Sequence, residues 1–480
     1  MKKTNLKINI FFNILKSLMG IIFPLISFPY ASRILLPDGI GKVNFVNSVV
    51  DYFLMIALLG INTYAAREGA KLRNDGEKLS VFAKEVFFIN FISTLTAILM
   101  LVLSLLFIDS FSAYKTLLLI TSVKIIFTLL GFDWLYIAEE EFAYITFRSF
   151  VFQLMSLVFL LAFVRKKEDY VIYALIGVFS SVGSNVCNFF YSRNFVSLFK
   201  AKIIGIKRHL KPIFIFFGAS CAARIQSTVD TVMLGIMSGD SSVGFYSAAI
   251  KFVKIVNTMI NTISATLLPR SSFYIQNNES EKYQDMLEKS INITIYLSLP
   301  SCMGLVLLCA PLIRGLSGEA YLPAFSAMCI SVPTILFGSL GTLVDSLILI
   351  PEKKEKFTFY FQIISCVINI GLNLFLIPFY GAFGAALATG IVEFIIMALK
   401  IFVTRKKFIS KNVIRNMLIS IVATVMMGIV VHQVRFEQDF LKISVSLIAG
   451  CTSYGIATVF FRHDSARIIL SVLIKRIWRK

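Results

Sequence analysis

FPYASRILLPDGIGKVNFVNSVVDYFLMIALLGINTYAARE, residues 28–68, decides the fold. It closes one apolar run, turns through Pro37, Asp38, Gly39 and Gly41, and enters a second apolar run that ends on Arg67. Its spacing returns later in the chain. Gly41 and Arg67 are 26 positions apart, as are Gly244 and Arg270, and each member of the second pair lies 203 residues after its counterpart. In both copies an aspartate, Asp38 or Asp240, precedes the glycine in a short turn, and an apolar helix leads from the glycine to the arginine. A helix pair used twice in the same orientation predicts two bundles facing a shared cavity, the plan of a transporter.

The chain of 480 residues is 57% hydrophobic, with a mean hydropathy of +0.80. Apolar runs of roughly 20 residues, the length of a membrane crossing, recur from 9–31 and 43–64 through to 412–431 and 440–461. This predicts an all-α integral membrane protein with about 14 transmembrane helices. The net charge of +20 sits mainly in alternate short loops, as the positive-inside bias requires, so it points to topology and not to nucleic acid. Both termini are expected in the cytoplasm; Arg165, Lys166 and Lys167 fall on the outer side as a local exception. Lys2, Lys3 and Lys7 precede a long run without a cleavage site, which reads as a retained first span.

Several function classes drop out. The longest cytoplasmic connections, 65–85, 193–211 and 270–290, are far shorter than the ~50 residues of a small domain, so no soluble catalytic domain is expected, and no cofactor. The seven cysteines lie in or at the ends of apolar segments without a CxxC, which reads as packing, with neither disulfides nor a metal. His209, His432 and His463 are expected in loops or at span ends, where a buried proton relay finds no support. The tail from Arg462 to Lys480 reads as a basic amphipathic helix on the inner leaflet.

Charged and polar residues inside the spans carry the functional signal, because each charge at a helix centre costs about 2.5–3.5 kcal/mol. Asn13, Lys16, Gly20, Pro24 and Ser27 share one helical face, as do Asn44, Asn47, Ser48 and Asp51. Ser220, Arg224, Ser227, Thr228 and Thr231 form a third stripe, and Ser247, Lys251, Lys254, Thr258 and Asn261 a fourth. Four bases, Lys16, Arg224, Lys251 and Lys254, converging on one lumen favour an anionic ligand such as a phosphate. The alternative is that each base is neutralised by a neighbour, with Asp51 and Asp230 as partners. Lys124, Asp345 and Glu393 either line the periphery or pair between helices, and Lys400 is expected to snorkel to the inner surface.

The residues 28–68 resemble the N-terminal signature of the Wzx-type bacterial polysaccharide-repeat (O-antigen) flippases, in the superfamily that also holds multidrug-and-toxin extruders and the lipid II flippase. Matching positions include Arg33, Pro37, Gly39, Gly41, Gly60 and Arg67. DWLY at Asp133–Tyr136, with Glu140, Tyr144 and Arg148, is similar to the family's fourth-to-fifth helix turn, although Ile137 and Ala138 replace its frequent Gln-Gly. Gly381, Ala382, Gly384, Ala385, Ala386 and Glu393 resemble its twelfth helix.

The resemblance implies two pseudo-symmetric six-helix lobes, 1–200 and 201–403, in a V-shape around a central cavity, followed by two further helices and the tail in 404–480. It also implies an oligosaccharide repeat unit on undecaprenyl pyrophosphate, moved from the cytoplasmic to the outer leaflet of the bacterial inner membrane by alternating access. On that reading Lys16, Arg224, Lys251 and Lys254, with Asn44 and Asn261, bind the substrate. Asp51, Asp230 and Glu393 serve coupling to H+ or Na+, and Arg33 and Arg67 guide the headgroup or fix loops. Membrane lipids and polysaccharide polymerase machinery are the other expected partners. The competing readings are a cation-coupled multidrug exporter, which the basic excess disfavours, and a membrane enzyme acting on lipid-linked sugars.

Overall fold

The computed structural model describes residues 6–198, 203–408 and 410–467. Lys2, Lys3, the amphipathic tail beyond Arg467 and the side chains of Lys7 and Asn13 lie outside the described residues. Among these residues the regular structure is entirely helical. Twelve helical segments among the described residues are long and apolar enough to cross a membrane, and the protein is a multi-pass membrane protein. The chain forms two compact units, Met1–Gly244 and Phe245–Lys480.

In the first unit, α1 (Leu6–Leu58), α2 (Ile61–Leu72), α3 (Gly76–Phe107), α4 (Lys115–Phe127), α5 (Asp133–Ala138), α6 (Phe142–Phe163), α7 (Tyr170–Ser192) and α8 (Lys207–Met237) follow one another, and α9 (Asp240–Gln276) begins. The polar turn expected around Pro37 is narrower than its sequence suggests. Helical geometry fails only at Leu36, with φ 58° and ψ 175°. Proline excludes the preceding residue from the α region, so the whole change of direction falls on this leucine, in a backbone region that side chains avoid. The expected spans 9–31 and 43–64 are therefore joined by a single non-helical residue. A second break, at Leu59 (φ 48°) and Gly60 (φ 72°), ends α1 and starts α2. The first copy of the repeated helix is thus interrupted before Arg67, whereas the second, α9, runs unbroken past Arg270 with Pro269 inside it.

The glycines of the repeat meet each other. A Cβ on Gly41 would fall 1.8 Å from the Asp240 carbonyl oxygen, and one on Gly244 would fall 2.2 Å from that of Pro37. Asp38 accepts a hydrogen bond from Ser241, and Tyr114 Oη donates to Asp240 Oδ1 at 2.7 Å. Below this contact Phe45 packs onto Gly235, where a Cβ would come within 2.1 Å of its ring.

The second unit continues with α10 (Ser280–Leu307), α11 (Cys309–Ser317), α12 (Ala324–Ser331), α13 (Thr334–Val344), α14 (Glu355–Phe408), α15 (Lys411–Gln433) and α16 (Asp439–Phe460). The spans expected at 357–378 and 381–403 share α14, whose helical geometry fails only at Gly381 (φ 52°, ψ −128°). That positive φ suits glycine, and the next glycine, Gly384, is pressed against the Leu376 carbonyl. Lys400 does not snorkel. It is buried and its ammonium donates to Asp345 Oδ2 at 2.6 Å, at a turn of π-helix (Asp345–Leu349), because a carboxylate held across the bundle satisfies it better than a long reach to the surface. In the loop that follows, burial raises the Glu352 carboxyl. Hydrogen bonds from Lys354 and Lys407, at 2.8 and 2.6 Å, outweigh this and hold it below the usual carboxylate range.

Two predictions follow from these contacts. Gly244→Ala drives a Cβ into backbone and should destabilise by about 1–3 kcal/mol, the scale of overpacking, read as a lower Tm in detergent. Gly218→Ala, whose Cβ meets open space, should leave Tm unchanged or higher, and equal Tm for the two variants would contradict the close approach. Because the folded pKa of Glu352 is depressed, its contribution is present above the ordinary carboxylate value and lost as pH falls through the folded one. Glu352→Gln should accordingly lower Tm at pH 7 and converge with the parent in acid.

Candidate functional site

The sequence-predicted residues fall at several places, and Arg224 and Asp51 are joined directly. Arg224 on α8 reaches Asp51 on α1, Nη1 to Oδ2, at 3.2 Å. The two side chains keep 46% and 31% of their exposure, so the pair is worth at most about 1 kcal/mol. Arg224 lines a cavity of about 370 Å³ together with Gly60, Asn62, Thr63, Ser220 and Ser227. The break at Gly60 shapes its rim, since a Cβ there would collide with the backbone of Phe216 and Phe217. A guanidinium carries five donors, and a single carboxylate contact at a cavity wall suits it to receive an anion as well.

Asn44 lies elsewhere in the first unit, in a cavity of about 330 Å³ walled by α1, α6 and α7. Its neighbour Asn47 accepts a hydrogen bond from Lys124 Nζ at 2.9 Å, which turns the expected peripheral lysine into a support for that wall. Lys16 is half-buried on α1, one turn before Gly20. Arg33 is exposed on α1 ahead of the Leu36 break. Arg67 is exposed on α2, bonded to Glu68 at 3.0 Å and stacked over Phe216 at 5.0 Å. Asp230 is buried on α8.

In the second unit, α9 carries Lys251, half-buried, and Lys254, exposed. Two turns on, Asn261 Nδ2 donates to Asn257 Oδ1 at 2.9 Å, which also accepts from Ser339 Oγ at 3.0 Å. Gly338 makes room for this group: a Cβ there would stand 3.2 Å from Asn257 Nδ2 and 3.5 Å from Glu393 Oε2. Asn261 and Glu393 thus share one polar cluster, while the lysines stand about two turns earlier on α9. The unit also holds an apolar cavity of about 480 Å³ lined by Pro300, Leu305, Leu308, Met427, Val431 and Leu447.

Sequence reasoning missed a further network. Glu85 on α3 is fully buried and accepts from the backbone of Ile204 and Gly205, from Arg208 and from His209, at 2.8, 2.6, 2.7 and 2.7 Å. His209 Nδ1 in turn lies 2.6 Å from Tyr64 Oη. His209, expected in a loop or at a span end, stands in the first turn of α8, buried between a carboxylate and a phenol. Glu85 stands at the margin of an apolar run and its partners lie more than 100 residues away, so no periodicity marks the contact. Arg148, buried on α6, holds Asp133 at 3.0 Å, and Asn188 donates to the same carboxylate at 3.0 Å, giving the DWLY segment a structural role around the short helix α5.

Residues 6–274, more than half of the chain, match the family described as polysaccharide biosynthesis protein. The chain belongs to that family. The "Putative O-antigen transporter" of Escherichia coli strain K12 is 21% identical over 408 residues, covering 84% of this chain and 97% of that one. Among solved structures, the lipid II flippase MurJ in an inward closed conformation superposes with a TM-score of 0.77 at 20% identity, over 94% of this chain and 99% of that one. An inward-facing multidrug resistance MATE family transporter of the MOP superfamily reaches 0.66 at 14% identity, over 82% and 98%. These likenesses establish the fold. Family membership makes the chain a transporter and not an enzyme, and the resemblance to Wzx-type proteins read from residues 28–68 holds.

Removing one partner from a buried ionic network costs about 3–5 kcal/mol. Glu85→Gln should therefore lower Tm sharply, and Glu77→Gln, exposed on the same helix, should not. Similar thermal curves for both variants would show that the Glu85 network does not hold the fold.

Proposed function

We propose that this family member translocates an undecaprenyl-pyrophosphate-linked oligosaccharide repeat unit from the cytoplasmic to the outer leaflet of a bacterial inner membrane by alternating access. The observation that carries the reading is Arg224: an intramembrane cation at a cavity wall, paired to Asp51 through one nitrogen and still half exposed. A charge at that depth is costly unless it serves a polar pathway, and a phosphate group is an anion that a guanidinium fork can hold through two parallel hydrogen bonds. The name of the E. coli relative, an O-antigen transporter, agrees with such a substrate.

In this reading Lys16, Lys251 and Lys254 assist Arg224 with the headgroup, Asn44 and Asn261 contribute hydrogen bonds, and Arg33 and Arg67 act as guides at helix ends. Asp51, Asp230 and Glu393 carry the coupling to H+ or Na+. Residues 1–200 and 201–403 serve as the two six-helix lobes and 404–480 as the C-terminal addition, with the breaks at Leu36 and Gly381 dividing the two longest segments to give fourteen crossings. The apolar cavity of the second unit offers surface to the isoprenoid tail.

The first test is the sidedness of lipid-linked glycan in cells lacking the protein, probed in inside-out and right-side-out vesicles. Accumulation in the cytoplasmic leaflet, relieved by complementation, is expected; normal outer exposure would sink the flippase reading. At residue level, Arg224→Gln and the double substitution Lys251→Gln/Lys254→Gln should each lower export at least tenfold at parental protein level. Asp51→Asn should add little to Arg224→Gln, because the two residues act as one unit. Parental export by the arginine and lysine variants would remove the cationic site.

A further inference from the structure

The cavity of the first unit that contains Asn44 differs in chemistry from the one at Arg224. No charged residue lines it among the described residues; its polar groups are the hydroxyls of Ser27, Ser156, Ser180 and Tyr173 and the amides of Asn44, Asn47 and Gln153. Two of these groups are unsatisfied: Gln153 Oε1 and Ser156 Oγ are buried without a hydrogen-bond partner. Leaving such groups unpaired costs about 1–3 kcal/mol each. Asn47 has its carbonyl oxygen occupied by Lys124 Nζ, so its NH2 remains as a donor. The wall thus offers an acceptor, a donor and hydroxyls able to do either, beside the aromatic rings of Phe23 and Tyr173.

The Lys124 ammonium is bonded to Asn47 and is not among the lining residues, so the wall itself offers a pyrophosphate no cation and an organic cation no carboxylate. A neutral, polyhydroxylated ring does fit, since each hydroxyl both donates and accepts while the C–H face lies on an aromatic ring. The volume of about 330 Å³ is at the small end of the roughly 300–1,000 Å³ typical of small-molecule sites. Glycine keeps it open: a Cβ on Gly20 would meet nothing within 4 Å, and one on Gly177 would meet only Lys124 Nζ, at 3.9 Å. We infer that this cavity is a sugar-ring subsite that reads one residue of the transported glycan, an assignment that rests on the proposed flippase function and separates sugar recognition from headgroup recognition at Arg224.

The test uses the full-length protein in nanodiscs and two probes: bare undecaprenyl pyrophosphate, and the glycan-bearing lipid extracted from cells that lack the protein. The parent should bind the glycan-bearing lipid more tightly than the bare one. Gln153→Leu, which removes the unpaired acceptor, and Gly20→Leu, which fills open space without displacing backbone, should each weaken binding of the glycan-bearing lipid about tenfold. Both should leave the affinity for the bare lipid and the Tm at parental values. Equal affinity of the parent for the two lipids would overturn the subsite, as would variants that weaken both lipids alike or neither. A failure of the flippase reading is distinct: deletion cells would then accumulate no lipid-linked glycan, or the parent would bind neither probe, and the subsite would fall with it.

Discussion

The first unit depends on a backbone contact. At Gly41 in α1 and Gly244 in α9 two helices approach until no room is left for a Cβ between a glycine and the opposing carbonyl. Lipid gives helices no hydrophobic reason to associate, so packing of small residues and hydrogen bonds must do so. The bonds from Ser241 to Asp38 and from Tyr114 to Asp240 surround the contact and satisfy two carboxylates that hydrocarbon would not tolerate unpaired. The strained Leu36 (φ 58°) sits one residue ahead of Pro37, whose carbonyl faces Gly244.

Two kinds of charge then separate by environment. Glu85, Lys400 and Arg148 are buried and multiply bonded, an arrangement in which loss of any partner leaves an uncompensated charge. They brace helices. Arg224 and Asp51 make one contact and keep much of their surface, which leaves them free to change partners at little cost. Exposure, more than charge, distinguishes the residues suited to transport from those that hold the bundle.

Much of this was legible in the chain. The repeat from Gly41 to Arg67 and from Gly244 to Arg270 marked the glycines that structure brings together, because a turn that excludes Cβ leaves a local signature. The polar stripe through Asp51 and the one through Arg224 pointed to facing helices, and their pairing follows the simple attraction of opposite charges. Glu85 with His209, Gln153 with Ser156, and Lys400 with Asp345 were not legible as sites. Their meaning lies in what surrounds them, and neighbours on other helices leave no trace in helical periodicity. The break at Leu36 was misjudged in width for a related reason: Pro37, Asp38, Gly39 and Gly41 read as a loop, yet all four fit a helix once Leu36 alone absorbs the turn.

A carrier must release what it binds, and this limits how each subsite is built. A fully desolvated arginine without a carboxylate beside it would hold a pyrophosphate too firmly to let it go. In the proposed function Asp51 competes for the guanidinium and tempers that affinity, so that a headgroup common to many lipid carriers would be held by an interaction of moderate strength. Discrimination between glycans then has to come from uncharged hydrogen bonds, whose loss leaves polar groups unpaired and penalises the wrong sugar without overbinding the right one. On the proposed function, such a division accounts for the weak, exchangeable ion pair at Arg224 and the neutral, half-satisfied wall at Gln153 and Ser156 lying in separate cavities of the same unit, each suited by its neighbours to a different part of the proposed substrate.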